Sequence, residues 1–194
     1  MDQYWIKTDK LNKFLRPEDK DDVRYRKLKK MNFESELKNV LPEDCNLCFH
    51  GTTIWNAEKI LASGEISSRM DREGYDSELT NSPSVISVTT LNNVWFTIKN
   101  FADLHNYKYP AGCIFVLEAN QEELVSARER NEIPNVDLID SPDKLKAIIT
   151  TPENIDRVRL WLQESPINCS EGVVMDYDEV LEYFSSQYSK VIDK

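Results

Sequence analysis

Three places in this 194-residue chain set reactive side chains in a pattern that could do chemistry. His50 ends the run Asn46-Leu-Cys-Phe-His and is followed by Gly51-Thr52-Thr53. A histidine at a strand end can donate from one ring nitrogen and accept at the other, so it suits a ligand contact or proton transfer. It equally suits a satisfied structural position. Glu171 opens the stretch Gly-Val-Val-Met, either as a site carboxylate or as a solvated strand edge. Cys45-Asn-Leu-Cys48 has the spacing of a redox pair or of half a zinc site.

The cysteine pair is the easiest to weigh. No second Cys-x-x-Cys follows, and the chain has only two histidines, His50 and His105. A four-ligand zinc site would have to recruit distant Cys113, Cys169 or a histidine. The alternation through Phe49 reads more simply as a buried strand carrying small thiols, so neither zinc nor a disulfide is expected. Phosphate-loop, dinucleotide-fold, nucleophile-elbow and zincin signatures are all missing from the sequence. No metal ligand set is expected.

The elements around these residues follow from periodicity. Asn46–His50 reads as a strand, and Ile54, Ala57, Ile60 and Leu61 fall at helical spacing before Gly64, which suits the position just past a helix end. Residues 65–83 read as a long polar loop that carries Tyr75. Loops of more than about 12–15 residues in compact domains are usually functional or disordered. Ser84–Thr90 is β-branched and strand-like, and a helix is expected over Leu91–Leu104. Cys113 to Leu117 is a continuous apolar run, as in a central strand.

Further on, Gln121–Arg130 reads as a short helix or turn and Ala147–Thr150 as a brief strand. Thr151-Pro152 signals a helix start. Glu171–Met175 is expected to be one short strand, and Asp178–Tyr188 a closing amphipathic helix. The fold class is α+β without a strict strand–helix–strand rhythm. Pro42 marks a boundary between an N-terminal helical appendage (1–42) and a core domain (43–194).

Charge bears on partners. The chain carries 24 Lys+Arg against 34 Asp+Glu, and residues 1–30 alone hold ten of the basic residues for a net of +4. The remainder is strongly acidic and repels phosphate backbones, which disfavours nucleic acid as the main substrate. No run of 18 apolar residues and no leader-like N-terminus is present, so a cytoplasmic protein without a membrane span is expected.

The stretch Leu47-Cys-Phe-His50-Gly51-Thr52-Thr53, with Ala57-Glu-Lys-Ile-Leu61 and Gly64 after it, resembles the first motif of the ADP-ribosyltransferase superfamily. It is most similar to the histidine-bearing branch with the diphtheria toxin and poly-ADP-ribose polymerase groups. Ser84–Leu91 resembles the second motif and Ser170-Glu171-Gly-Val-Val-Met the third, so the three span residues 46–176.

The resemblance implies a split β-sheet with a cleft for NAD⁺ as co-substrate. It implies that His50 bonds the adenosine ribose, that the Gly51 backbone meets the nicotinamide amide, and that Thr52 adjoins them. Glu171 would stabilise the oxocarbenium-like centre formed as nicotinamide leaves. The branch's stacking tyrosine is not matched on the second strand, where Ser87 or Thr89 stands instead; Tyr75 and Trp95 are alternative aromatic walls. The implied activity is mono-ADP-ribosylation of a protein acceptor, in the cytoplasm or in a host cytosol entered as an effector. NAD⁺ hydrolysis or an inactive interaction module are the alternatives. His50 and Glu171 are expected on adjacent central strands facing one cleft.

Overall fold

The computed structural model describes residues 33–67, 85–94, 97–98 and 112–188. Helix α1 spans 33–40 and leads into strand β1 (Leu47–Thr52) and helix α2 (Ile54–Ser63). Short strands β2 (Glu65–Ile66), β3 (Val85–Ser87) and β4 (Thr89–Thr90) follow, then the longer β5 (Cys113–Glu118) and helix α3 (Gln121–Arg130). The rest comprises β6 (Glu132–Pro134), β7 (Val136–Asp137), β8 (Leu145–Ile149), α4 (Ile155–Gln163), β9 (Val174–Met175) and α5 (Tyr177–Tyr188). Among the described residues no helix is long and apolar enough to cross a membrane.

The protein is mixed α+β. Among the described residues its main sheet has five strands in the order β4-β1-β5-β8-β9, antiparallel except for the parallel β8–β9 pair. Two small ladders, β2–β7 and β3–β6, stand beside it.

Strand alternation sends successive side chains to opposite faces. Cys48, Cys113, Phe115, Leu117 and Ile148 join a core with Ile54, Ala57 and Ile60 of α2, Leu124 of α3 and Val158 of α4. Leu47, Phe49, Ile114, Val116, Ala147 and Ile149 join a second core with Phe33 and Leu37 of α1 and Phe184 of α5. Burial on both faces is why the β5 run has no polar alternation. A register shift between Val116 and Leu117 interrupts the β5–β8 ladder, and beyond it Leu145 joins the first core. Phe33 packs against Tyr177 with tilted rings whose centroids are 4.7 Å apart, so the residues just before Pro42 are part of this second core; most of the 1–42 segment lies outside the described residues.

Several expected elements are present. Thr53 caps α2 by accepting from the Asn56 amide, and Gly64 ends it at φ 74°. A Cβ at Gly64 would come within 2.4 Å of Ile139 Cγ1, so both backbone sign and space require glycine. Asn120 and Glu123 form a capping box on α3.

Two expected strands are corrected. Ser84–Thr90 is not one strand in one sheet, because the chain changes partner at Val88: β3 pairs with β6, while β4 pairs with β1. Glu171–Met175 is not a single strand either. Ser170 accepts from the Gly172 amide at 3.2 Å, and this turns Glu171–Val173 into a 3₁₀ turn before β9.

Candidate functional site

The partner change at Val88 creates a fork beside the end of β1. In the β3–β6 ladder Ile86 faces Ile133, and both are buried in the first core. Alternation therefore turns the next pair, Ser87 and Glu132, outward; Ser87 is exposed and Glu132 half-buried. Directly opposed residues of this kind have Cβ atoms about 4.5–5.5 Å apart. Val88 leaves the ladder and donates its amide to the carbonyl of Asn131 at 2.9 Å.

His50 sits at the fork's base, only 2% exposed. Its Nδ1 lies 2.8 Å from the carbonyl oxygen of Ser87. A carbonyl can only accept, so Nδ1 carries the hydrogen, and Nε2 is an acceptor whenever the ring is neutral. Nε2 is buried and has no hydrogen-bond partner among the described residues. Two residues further along the same side of β1, the buried hydroxyl of Thr52 is likewise without one. Two orphaned polar atoms on one strand are uncommon in a packed interior, where such groups are nearly always paired. Among the described residues, these two side chains keep unused hydrogen-bonding capacity on one side of β1.

The other expected site residues divide. Gly51 lies on β1 between His50 and Thr52, in register with Ile114. Ser87 contributes its backbone to the imidazole. Thr89 is committed elsewhere: its hydroxyl lies 2.7 Å from that of Thr97, which in turn donates to the Phe49 carbonyl at 3.4 Å. Tyr75 and Trp95 lie outside the described residues.

Glu171 is not beside His50. His50 is in register with Phe115, Phe115 with Ile148, and Ile148 with Val174, so β1 and β9 are separated by two strands. Three inter-strand steps of about 4.8 Å make roughly 14 Å. Glu171 is exposed on its turn near the sheet's far edge. A groove of about 360 Å³ next to it is lined by Arg159, Gly172, Met175, Glu179, Glu182 and Tyr183, and includes none of the residues expected to bind NAD⁺. In the β3–β6 ladder the residue in register with Ser87 is an acid, Glu132. Its only sequence signal is its place in Arg130-Asn-Glu-Ile-Pro134, and that polar stretch gives no hint of which strand it will meet.

The cysteines are all free thiols. Cys45 and Cys48 contribute to opposite cores, so their sulfurs do not converge on one point. Burial pushes the Cys48 thiol up to about 12, with Glu123 nearby adding to it, and pushes Cys113 up to about 11 against an opposing hydrogen bond with Thr150. Such thiols are poor nucleophiles and poor metal ligands. Among the described residues no group of three or more His, Cys, Asp or Glu is placed to hold a metal ion. Compared with family models, curated proteins and solved structures, the chain shows no match to any of them.

Proposed function

We propose that this chain is an ADP-ribosyltransferase that cleaves NAD⁺ at the fork between β1, β3 and β6 and transfers ADP-ribose to a protein acceptor. The observation that carries the reading is His50. Its Nδ1–H is committed to the Ser87 carbonyl, and with the ring neutral its orphaned Nε2 suits a donor such as a ribose hydroxyl. That is the contact the resemblance at His50-Gly51-Thr52 implies. The parting of β3 from β4 at Val88, beside that histidine, supports the split sheet the same resemblance implies.

In this reading the carboxylate is Glu132 and not Glu171. Cleavage of the nicotinamide–ribose bond develops positive charge on the ribose, and a fixed carboxylate lowers the energy of that state. Glu132 enters β6 directly opposite Ser87, whose carbonyl holds His50. The imidazole orients the donor, and the carboxylate answers the charge.

A second reading has its own support. The nearly complete burial of His50 and its bond to Ser87 suit a latch joining β1 to β3 in a non-catalytic interaction module. Incubation of the full chain with labelled NAD⁺ and a cell extract separates the cases. Labelled protein bands support transfer, and free ADP-ribose alone supports hydrolysis at the same fork. Unconsumed NAD⁺ leaves the latch.

A further inference from the structure

Among the described residues Asn131 is the one non-glycine with positive φ, at 56°. It ends α3, donating its amide to the Ala127 carbonyl at 3.1 Å. Its own carbonyl accepts from Val88 at 2.9 Å, at the point where the chain passes from β3 to β4. The next residue is Glu132. One residue thus closes a helix, ties the fork and leads into the strand that carries Glu132.

The Asn131 side chain is exposed. Asparagine and glycine enter the left-handed region far more readily than alanine, and β-branched residues scarcely enter it. What the position requires is therefore a backbone conformation and not a side-chain contact.

Resting on the reading above, we infer that Asn131 is a positioning residue: its left-handed backbone aims the entry to β6 and so holds Glu132 at the fork. Replacement by a residue that resists positive φ shifts the first residue of β6 relative to Ser87. A displacement of about 1 Å in catalytic geometry is enough to lower turnover by up to 10²-fold. His50 on β1 is touched only indirectly, through the Ser87 carbonyl, so the effect falls more on kcat than on KM.

The test compares Asn131→Gly, Asn131→Ala and Asn131→Val in the full chain. It reads nicotinamide release from NAD⁺, the thermal midpoint and hydrogen exchange at the Val88 amide. The expected result is kcat within about threefold of wild type for Asn131→Gly, but lower by about tenfold or more for Asn131→Ala and Asn131→Val, with a smaller change in KM. Val88 exchange should accelerate only in the latter two. Wild-type kcat in a folded Asn131→Ala overturns the inference, and so does an Asn131→Gly as impaired as Asn131→Ala, or a change confined to KM. If Asn131→Val fails to fold, the alanine and glycine pair decides. A wild-type chain that releases no nicotinamide overturns the enzymatic reading instead, and Val88 exchange then still decides whether the left-handed backbone holds the fork.

Discussion

The Nδ1 of His50 lies 2.8 Å from the carbonyl oxygen of Ser87, 37 residues away in sequence. This one bond joins β1 to β3, which pairs with β6 before the chain turns at Val88 to pair with β1 as β4. It also decides the ring's tautomer, and through it which kind of ligand atom the buried Nε2 can meet. His50→Ala removes both functions. It should weaken NAD⁺ binding, and it should destabilise the fold by about 1–3 kcal/mol through the lost bond and imidazole packing. Denaturant unfolding paired with calorimetric NAD⁺ titration measures the two separately. A loss of stability with no change in affinity identifies His50 as a latch alone.

The thiols should rank by burial. Cys48 and Cys113 are fully buried with strongly raised pKa values, whereas Cys169 is half-buried. At pH 8 a disulfide reagent should modify Cys169 first, and Cys48 and Cys113 only after denaturation. Peptide mapping of the modified sites reads the order. Rapid native modification of Cys48 would show that α2 and α3 do not cover that face as described.

Much of this architecture is visible in local signals. Gly64 after Ile54–Ser63 and the apolar run from Cys113 state a helix end and a central strand within a few residues of chain. What local signals do not carry is pairing. Val85–Thr90 looks like one strand because its β-branched residues are continuous; only the competition between β1 and β6 for its edges splits it at Val88. For the same reason Glu171 looks like a strand-entry carboxylate, although the Ser170 hydroxyl makes it part of a turn. Glu132 passes unnoticed because Pro134 makes its strand resemble a loop.

Gly64→Ala tests the α2–β2 junction. At φ 74° an alanine is strained, and its Cβ would meet Ile139 Cγ1 at 2.4 Å and Cδ1 at 2.8 Å. A loss of about 1–2 kcal/mol is expected from the backbone, with more from the clash. Ile139 is 46% exposed and can be shortened without opening the core. Ile139→Ala added to Gly64→Ala should recover the steric part and leave the backbone part, as measured by thermal unfolding. Complete recovery would mean that the backbone strain is absent.

Glu118 supplies a pH-dependent contribution with a definite sign. Hydrogen bonds from Lys146 and Asn46 hold its carboxyl below its ordinary value. The unfolded chain therefore takes up the proton first as pH falls, so the contribution is present above the ordinary value near 4.5 and fades as pH drops through the lowered one. The pair is partly exposed, 32% for Lys146 and 43% for Glu118, and solvent screening keeps the effect under about 1 kcal/mol. Lys146→Ala should make the acid limb of the stability profile shallower between about pH 5 and 3. An unchanged limb would show that the pair is screened out entirely.

The choice between two glutamates is the sharpest test of the proposed chemistry. Glutamine keeps the shape and hydrogen-bonding reach of glutamate and removes only its charge, so a carboxylate that acts on a developing cation is exposed by turnover, not by affinity. At the fork, Glu132 faces Ser87 across the β3–β6 ladder; Glu171 sits on an exposed turn beyond two intervening strands. Glu132→Gln should therefore lower nicotinamide release by about 10²–10³-fold while NAD⁺ still binds within a few-fold of wild type. Glu171→Gln should stay within about twofold on both measures, as surface substitutions away from a site generally do. Steady-state nicotinamide release and calorimetric titration on the two variants give the comparison directly. If Glu171→Gln is the inactive one, the carboxylate reaches its substrate from the β9 edge and the fork is not the site of cleavage. If both retain wild-type turnover, neither supplies the charge and the reaction proposed at this fork fails.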